Sequence, residues 1–199
     1  MKLLLFSDLH CDVAAARSLA ERATDADVLV GAGDFASMRR GLDDCLPMLL
    51  QIGKPLVLVP GNNESLEELR DACRGYSNAH VLHGDGLTLE GMDFWGLGGG
   101  VPETPFGEWS YDLSEERARE LLRDCPSGAI LISHSPPQGT LDVPSRGGHL
   151  GSVAVREVID RKQPRLVICG HIHNCAGQSA RIGATEIINV GPDGMLMQI

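Results

Sequence analysis

Five short apolar runs recur along the chain, and each has about the length of a β-strand. They are KLLLF from Lys2, DVLVGAG from Asp27, PLVLVPG from Pro55, GAILIS from Gly128 and RLVICG from Arg165. The runs are rich in Val, Ile and Leu and do not alternate cleanly with polar residues. This pattern is typical of strands that are buried on both faces of a parallel or mixed sheet.

Helix-like stretches lie between these runs. The first has apolar residues at the i, i+3, i+4 and i+7 spacing of one helix face, and these are Ala16, Leu19, Ala20 and Ala23. Three further helices are predicted from the capping residues Ser65, Ser114 and Ser152. The segment 42–52 also has a helical pattern, in which Pro47 must lie in the first turn or kink the helix.

Two stretches alternate more clearly and contain glycine turns, LTLEGMDFWGLGGG and ARIGATEIINVGPDGMLMQI. They predict antiparallel strands that complete a sheet layer, so the whole pattern favours a layered α/β sandwich. Two long glycine-bearing loops, 98–110 and 139–151, are expected to form functional rims. We find no repeat and no linker, and we expect residues 1–199 to form a single domain.

Composition narrows the classes of function. A formal net charge of −10 argues against broad binding to nucleic-acid phosphates or to anionic lipid. The six cysteines form no CxxC pair, and the apolar stretch at the N-terminus is too short for a signal peptide. No run approaches membrane-spanning length. These features predict a reduced, cytoplasmic protein with no membrane partner.

Polar side chains directly follow all five apolar runs. In chain order they are Asp8 and His10, Asp34, Asn62 and Asn63, His134, and finally His171 and His173. A single Asp after a strand is often an N-cap, and a single His is often structural. The Asp-x-His and His-x-His spacings, however, put both members of a pair on one face of an extended chain. Because ligands bind at the carboxyl ends of strands in open α/β sheets, the whole set predicts a site there.

Two carboxylates, four imidazoles and an amide are too many ligands for one metal ion, and they suit two divalent ions held close together. Sites with ions about 3.5–4 Å apart stabilise both the attacking and the departing oxygen of an in-line phosphoryl displacement. Two such ions, two carboxylates and one bridging hydroxide sum to a charge of about +1, which offsets a phosphodiester. Mixed nitrogen and oxygen ligands suit Mn, Fe or Zn.

The motifs Asp8-x-His10, Gly33-Asp34, Gly61-Asn62, His134 and Gly170-His171-x-His173 resemble, in order and spacing, those of calcineurin-like metallophosphoesterases. The stretches SHSPPQGTLD and GATEIINVGP resemble the small bacterial and archaeal branch of that family. The resemblance implies a four-layer α-β-β-α sandwich of two mixed sheets flanked by helices, with the metal site at the strand carboxyl ends. It implies two ligand sets that share Asp34, namely Asp8, His10, Asp34 and His173 for the first metal and Asp34, Asn62, His134 and His171 for the second.

Asn63 departs from the commonest pattern of the resembling family, which has His at this position to protonate or stabilise the leaving oxygen. An amide can donate a hydrogen bond, but it has no accessible pKa and cannot act as a general acid. The departure favours diesters, activated leaving groups or a proton donor from elsewhere. His149, in the second long loop, is the candidate donor.

Two other sets of residues leave alternatives open. Phe106 and Trp109 either line a pocket for a base or ring, or pack within their own loop. Cys169 and Cys175 flank the GHIH motif and suggest a Cys/His zinc site, although no second cysteine pair has the usual spacing.

The sequence therefore predicts a dimetal phosphoesterase that acts on a small phosphorylated or phosphodiester substrate, with diesters preferred over monoesters. The alternative is a catalytically weak, metal-binding scaffold on the same fold, like the resembling retromer scaffold subunit. A nuclease for long nucleic acid is disfavoured because the chain has no basic stripe to hold a polymer. The physiological substrate, the identity of the metals and the oligomeric state are left open.

Overall fold

The computed structural model describes residues 1–145 and 147–199. The helices are α1 (Val13–Arg22), α2 (Leu42–Leu50), α3 (Leu66–Ala72), α4 (Glu115–Leu121) and α5 (Val153–Lys162). The strands are β1 (Lys2–Phe6), β2 (Val28–Gly31), β3 (Leu56–Leu58), β4 (Ala79–Val81), β5 (Gly86–Leu89), β6 (Met92–Leu97), β7 (Ile130–Ser133), β8 (Leu166–Cys169), β9 (Gln178–Ile182), β10 (Thr185–Asn189) and β11 (Met195–Gln198). All five apolar runs form strands, as predicted.

Within the described ranges these strands form two sheets, ordered β11-β1-β2-β3-β4 and β5-β6-β7-β8-β10-β9. Strands β1 to β4 are parallel, and β11 adds an antiparallel edge. In the other sheet β6, β7, β8 and β10 are parallel, and β5 and β9 form antiparallel edges. The stretch from β9 to β11, expected to complete one layer, is therefore divided between the two sheets.

The alternation of side chains along each strand builds the layers. Leu3 and Leu5 of β1 face the other sheet and pack with residues such as Ile132 of β7. Leu4 and Phe6 face the opposite way, into a core shared with helices α1, α2 and α3. Helices α4 and α5 cover the outer face of the second sheet. The predicted four-layer α-β-β-α sandwich is confirmed.

Three helices begin at the capping residues that the sequence predicts. Ser65, Ser114 and Ser152 are the N-caps of α3, α4 and α5, and Ser65 forms the complete capping box with Glu68. Pro47 lies in the second turn of α2, not in its first turn. Its missing N–H costs the helix one hydrogen bond, while the buried apolar face of α2 packs against the core and stabilises the helix. No helix in the described part of the chain is long and apolar enough to cross a bilayer.

Candidate metal centre

The carboxyl ends of strands from both sheets bring the predicted ligands together. Asp8, Asp34 and Asn62 follow β1, β2 and β3 of the first sheet, while His134 and His171 follow β7 and β8 of the second. In the described residues, two groups of possible ligand atoms each lie within 4.8 Å of one another. The first group is Asp8, His10 and His173, and the second is Asp34, His134 and His171.

In the second group, the side-chain oxygen of Asn62 adds a fourth possible metal-ligand atom. Asn62 Oδ1 lies 3.1 Å from Nδ1 of His171 and 3.3 Å from Nε2 of His134. Nε2 of His134 also lies 3.4 Å from Oδ1 of Asp34. In the first group, the Nε2 atoms of His10 and His173 are 3.0 Å apart, and Nε2 of His173 is 3.6 Å from Oδ1 of Asp8.

Asp34 lies between the two groups. Its Oδ1 atom faces His134, and its Oδ2 atom lies 3.7 Å from Nε2 of His10. A carboxylate has two oxygens with separate lone pairs, so it can bind two cations at once. Asp34 thus faces both groups of candidate ligands, as a shared ligand would.

The donor set fits divalent metal ions. Ligand atoms about 2.0–2.2 Å from one ion, at tetrahedral or octahedral angles, lie about 2.8–3.6 Å from one another. The distances within the two groups fall in or next to that range. Two imidazole nitrogens at 3.0 Å, as in His10 and His173, cannot both carry a proton directed at the other. Either one ring donates to the other, or both nitrogens bind one cation.

The imidazole of His134 has acceptor oxygens next to both of its ring nitrogens. Its Nδ1 atom contacts the carbonyl oxygen of Ala32 at 2.8 Å, and its Nε2 atom faces the oxygens of Asp34 and Asn62. Both ring nitrogens therefore face acceptors. Burial alone lowers the pKa of this imidazole, but the charge of Asp34 and the hydrogen bond to it raise the pKa to about 9. A divalent ion bound at Nε2 of His134 would replace this proton and would meet the same oxygens of Asp34 and Asn62.

The neighbouring pKa values follow from burial and from the charges of His134 and the two carboxylates. Burial and the charged His134 lower the pKa of His171 to about 4. The hydrogen bond to Asp8 raises the pKa of His173. For Asp8, burial raises the pKa, but the hydrogen bond to His173 and the charge of His134 outweigh it and lower the pKa. The pKa of Asp34 is also lowered, because the charge of His134 outweighs its burial. Both carboxylates are therefore ready to bind a cation near neutral pH.

Several of these side chains sit on a strained backbone. Asp8, His10, Asp34 and His171 all have a left-handed φ, between 44° and 66°. Such a conformation costs a non-glycine residue about 1–3 kcal/mol and is concentrated at functional sites. The surrounding hydrogen bonds hold it in place, since the N–H of His10 donates to the Asp34 carbonyl and that of Asp8 to the Gly33 carbonyl.

Two glycines permit the close approach of the ligand loops. A Cβ atom on Gly61 would overlap Oδ1 and the backbone nitrogen of Asp34. A Cβ atom on Gly170 would overlap the carboxylate of Asp8 and the side chain of Ser7. The glycines of the GN and GH motifs are thus required because side chains from other loops occupy that space.

Glu64 is a residue that the sequence analysis missed. Its fully buried carboxylate accepts hydrogen bonds from the backbone N–H groups of Asp34, Ala36 and Gly61, at 2.6 to 2.9 Å. Burial and the charge of Asp34 raise its pKa to about 7. Glu64 ties the loop after β2 to the loop after β3. The only signal in the sequence was an acidic residue directly after the Asn62-Asn63 pair.

The orientation of Asn62 is set from the first long loop. Its Nδ2 donates to Oγ of Ser110 at 3.1 Å, and Ser110 donates in turn to Asp112. The N–H of Tyr111 donates to the backbone carbonyl of Asn62. These contacts direct Oδ1 of Asn62 toward His134 and His171, as a ligand oxygen requires.

The structure places Asn63 beside the carboxylate of Asp34. Its backbone N–H donates to Oδ1 of Asp34 at 2.8 Å, and its side-chain Nδ2 donates to Oδ2 at 2.7 Å. Its own Oδ1 accepts from the backbone N–H of Met38. Asn63 lines the cavity over the candidate metal centre, and both the oxygen and the nitrogen of its side-chain amide already form hydrogen bonds.

His149 is paired with a buried carboxylate. Its Nδ1 atom lies 2.8 Å from Oδ1 of Asp142, while its side chain is 59% exposed. Asp142 also accepts from the backbone N–H groups of Gly139 and Gly151, so it closes the second long loop. This pairing orients the imidazole of His149 through its Nδ1 atom.

A cavity of about 360 Å³ lies over the metal centre. Its polar lining residues are His10, Asp34, Asn62, Asn63, His171, His173 and Asn174, and its apolar lining residues are Phe106, Trp109, Pro144, Leu150 and Ile172. In the described residues, neither Cys169 nor Cys175 belongs to a group that could hold a metal, so the Cys/His zinc alternative has no support here.

The family model described as "Calcineurin-like phosphoesterase" matches residues 1–175. Metallophosphoesterase domain-containing protein 1 of Homo sapiens is 34% identical over 137 residues, which cover 66% of this chain and 39% of that protein. A cAMP/cGMP dual specificity phosphodiesterase of Mycobacterium tuberculosis is 28% identical over 156 residues, which cover 74% of this chain and 48% of that protein. This chain therefore spans less than half the length of the curated relatives it matches.

Solved structures share the fold. The protein TT1561 of Thermus thermophilus has a TM-score of 0.77 at 18% identity, with 96% of this chain and 90% of that chain covered. A dimetal phosphatase from Danio rerio has a TM-score of 0.63 at 14% identity, with 96% and 88% covered. At these identities the likeness concerns the arrangement of strands and helices.

Proposed function

The chain belongs to the calcineurin-like phosphoesterase family, and we propose that it is a dimetal-dependent phosphoric ester hydrolase that prefers phosphodiesters to monoesters. The observation that carries this proposal is the position of Asp34, whose two carboxylate oxygens face two separate groups of ligands. Two bound divalent ions would act as Lewis acids that polarise a phosphoryl group and offset its charge.

The chain's own residues hold and orient the ligands. Asp8, His10 and His173 would bind one ion, Asn62, His134 and His171 the other, and Asp34 both. The Ala32 carbonyl fixes the ring of His134, and Ser110 fixes the amide of Asn62. Such supporting hydrogen bonds typically change metal affinity or activity by about 10–100-fold.

The chemistry and the hydrogen bonds of the Asn63 side chain support the preference for diesters. An amide held by Asp34 and Met38 can stabilise the site but cannot give a proton to a departing alkoxide. A diester also brings one negative charge to the ions, whereas a monoester brings up to two. The Mycobacterium tuberculosis relative is by name a cyclic-nucleotide phosphodiesterase, and cyclic nucleotides are diesters.

For substrates with poor leaving groups, we assign the proton to His149. Asp142 holds Nδ1 of this ring and so directs proton exchange to Nε2. The neighbouring Leu150 lines the cavity over the candidate metal centre, which supports this assignment.

The test is metal analysis of the purified protein, followed by turnover of matched phosphodiesters and phosphomonoesters with added Mn²⁺, Zn²⁺ or Fe²⁺. The proposal expects two divalent ions per chain and faster turnover of the diester in each matched pair. Full metal content with no turnover of any ester would favour the scaffold alternative. Faster turnover of the monoesters would overturn the diester preference alone.

A further inference from the structure

An apolar wall lines the cavity that also contains the candidate ligand residues. We use this name for Phe106, Trp109, Pro144, Leu150 and Ile172, which line the same 360 Å³ space as the metal ligands. Phe106 and Leu150 are among the most exposed large apolar side chains, at 51% and 49%. Exposed apolar surface beside a polar site is typical of a place where a ligand covers it.

The two aromatic members of the wall stack on each other, which leaves an outer ring face open. The rings of Phe106 and Trp109 are stacked, with centroids 5.6 Å apart and planes tilted by only 15°. Half of the Phe106 side chain is still exposed to solvent, so stacking of the two rings does not remove all of their apolar surface from water. Aromatic faces bind other planar rings better than aliphatic groups of the same area, because the ring quadrupoles pair in offset stacks.

A hydrogen bond next to Trp109 connects the apolar wall to the candidate metal ligand Asn62. Trp109 directly precedes Ser110, which accepts the hydrogen bond that orients Asn62. Nη1 of Arg39 contacts the Trp109 carbonyl at 3.4 Å, and Arg39 is itself paired with Glu68. The backbone of Trp109 is therefore connected to the residue that orients the side chain of Asn62.

We propose that the apolar wall binds a planar aromatic group of the ester while the metal centre holds its phosphate. This inference rests on the proposed function and names its substrate class, the aryl and nucleoside phosphoesters. The cavity lies at the lower end of the range typical of small-molecule sites, about 300–1,000 Å³. It has room for a phosphate and one ring system, and it does not suit a polymer.

The test is a binding measurement that needs no turnover. The chain has two tryptophans, so Trp95→Phe leaves Trp109 as the only source of tryptophan fluorescence. The metal-loaded protein is titrated with phenylphosphonate, cyclohexylphosphonate and methylphosphonate, which differ only in the organic group. We expect phenylphosphonate to quench Trp109 and to bind about 3–10-fold more tightly than either of the others, the range for one aromatic pair.

Two variants in the Trp95→Phe background isolate the ring. Phe106→Leu keeps an apolar side chain but removes the aromatic face, and it should weaken phenylphosphonate about 3–10-fold while methylphosphonate changes less than about twofold. Val13→Ala, at an exposed position on α1, is the control and should change neither affinity. A nucleoside 5′-monophosphate, added as a fourth ligand, distinguishes a nucleobase from a simple aryl group.

Each outcome decides the question. Equal affinity for the phenyl and cyclohexyl compounds, or equal loss of all ligands in Phe106→Leu, would overturn the aromatic subsite and leave the hydrolase proposal standing. Ring-selective quenching in a protein that hydrolyses no ester would support the subsite while the hydrolase proposal fails.

Discussion

Asn63 holds Asp34 by two hydrogen bonds, one from its backbone N–H to Oδ1 and one from its side-chain Nδ2 to Oδ2. Each donor thus contacts a different oxygen of the carboxylate that faces both ligand groups. This pairing gives Asn63 a positioning role in addition to the leaving-group role considered from the sequence. The two roles make different predictions.

Asn63→Ala removes one hydrogen bond to a charged oxygen, a bond worth about 1.5–3 kcal/mol. If Asn63 positions Asp34, the variant binds metal about 10–100-fold more weakly, and excess metal restores turnover of nitrophenyl and alkyl esters alike. Asn63→His supplies a proton donor, so it should accelerate alkyl esters far more than nitrophenyl esters. Kinetics at saturating metal check both variants. An equal effect of Asn63→His on the two ester classes would contradict any leaving-group role.

Asp34→Asn should lower the metal content and abolish turnover. An amide has only one oxygen acceptor and no charge, so it cannot serve both ligand groups. Elemental analysis after gel filtration gives the metal content. Asp124→Asn changes an exposed carboxylate by the same atoms and is the control. Near-normal activity of Asp34→Asn with full metal content would contradict the shared-ligand assignment.

His149→Gln should slow turnover of alkyl diesters by about 10²-fold or more, the range of general acid catalysis, and affect nitrophenyl diesters little. The reason is that nitrophenolate leaves without a proton. His80→Gln, on β4, is the matched control. If both ester classes slow equally, His149 acts by shaping the loop around Asp142 and donates no proton.

Metal binding should release protons near neutral pH. In the metal-free protein the pKa of His134 is about 9, so at pH 7 this ring carries a proton that a metal ion must displace. His173, whose pKa is also raised, adds to the release, whereas His171, with a pKa of about 4, adds none. The apparent affinity should rise as pH rises from 7 toward 9 and then level off. Titration calorimetry in buffers of different ionisation enthalpy counts the protons, and a release of none at pH 7 would contradict this assignment.

Gly61→Ala should reduce metal binding, because the new methyl group would occupy the space of the Asp34 carboxylate. Gly53→Ala is a stringent control, since its φ of 77° strains an alanine while no atom lies within 4 Å of the new Cβ. We expect both variants to lower the melting temperature and only Gly61→Ala to lose metal. Loss of metal in both would show that general destabilisation, and not the contact with Asp34, is responsible.

Much of the architecture could be predicted from the sequence because it depends on local patterns. The apolar runs gave the buried strands, and Ser65, Ser114 and Ser152 gave the starts of three helices, since capping depends on neighbours three residues away. The position of Asp8, Asp34, Asn62, His134 and His171 directly after strands also predicted a shared edge. Pro47 was expected in the first turn of α2 or at a kink, and the structure places it in the second turn, where the buried face of the helix offsets the local cost of proline.

The sequence by itself determined which side chains follow the strands, and only the tertiary structure decided how they meet. β1 to β3 and β7 with β8 belong to different sheets, so His171 meets Asp8 only because the two sheets pack face to face. Three features depend on contacts between loops far apart in the chain. They are the left-handed φ of Asp8 and Asp34, the hydrogen bond from the N–H of Asp34 to Glu64, and the hydrogen bond from Nδ2 of Asn63 to Asp34. No local pattern encodes such contacts, because their free energy comes from burying two sheets against each other and not from any short segment.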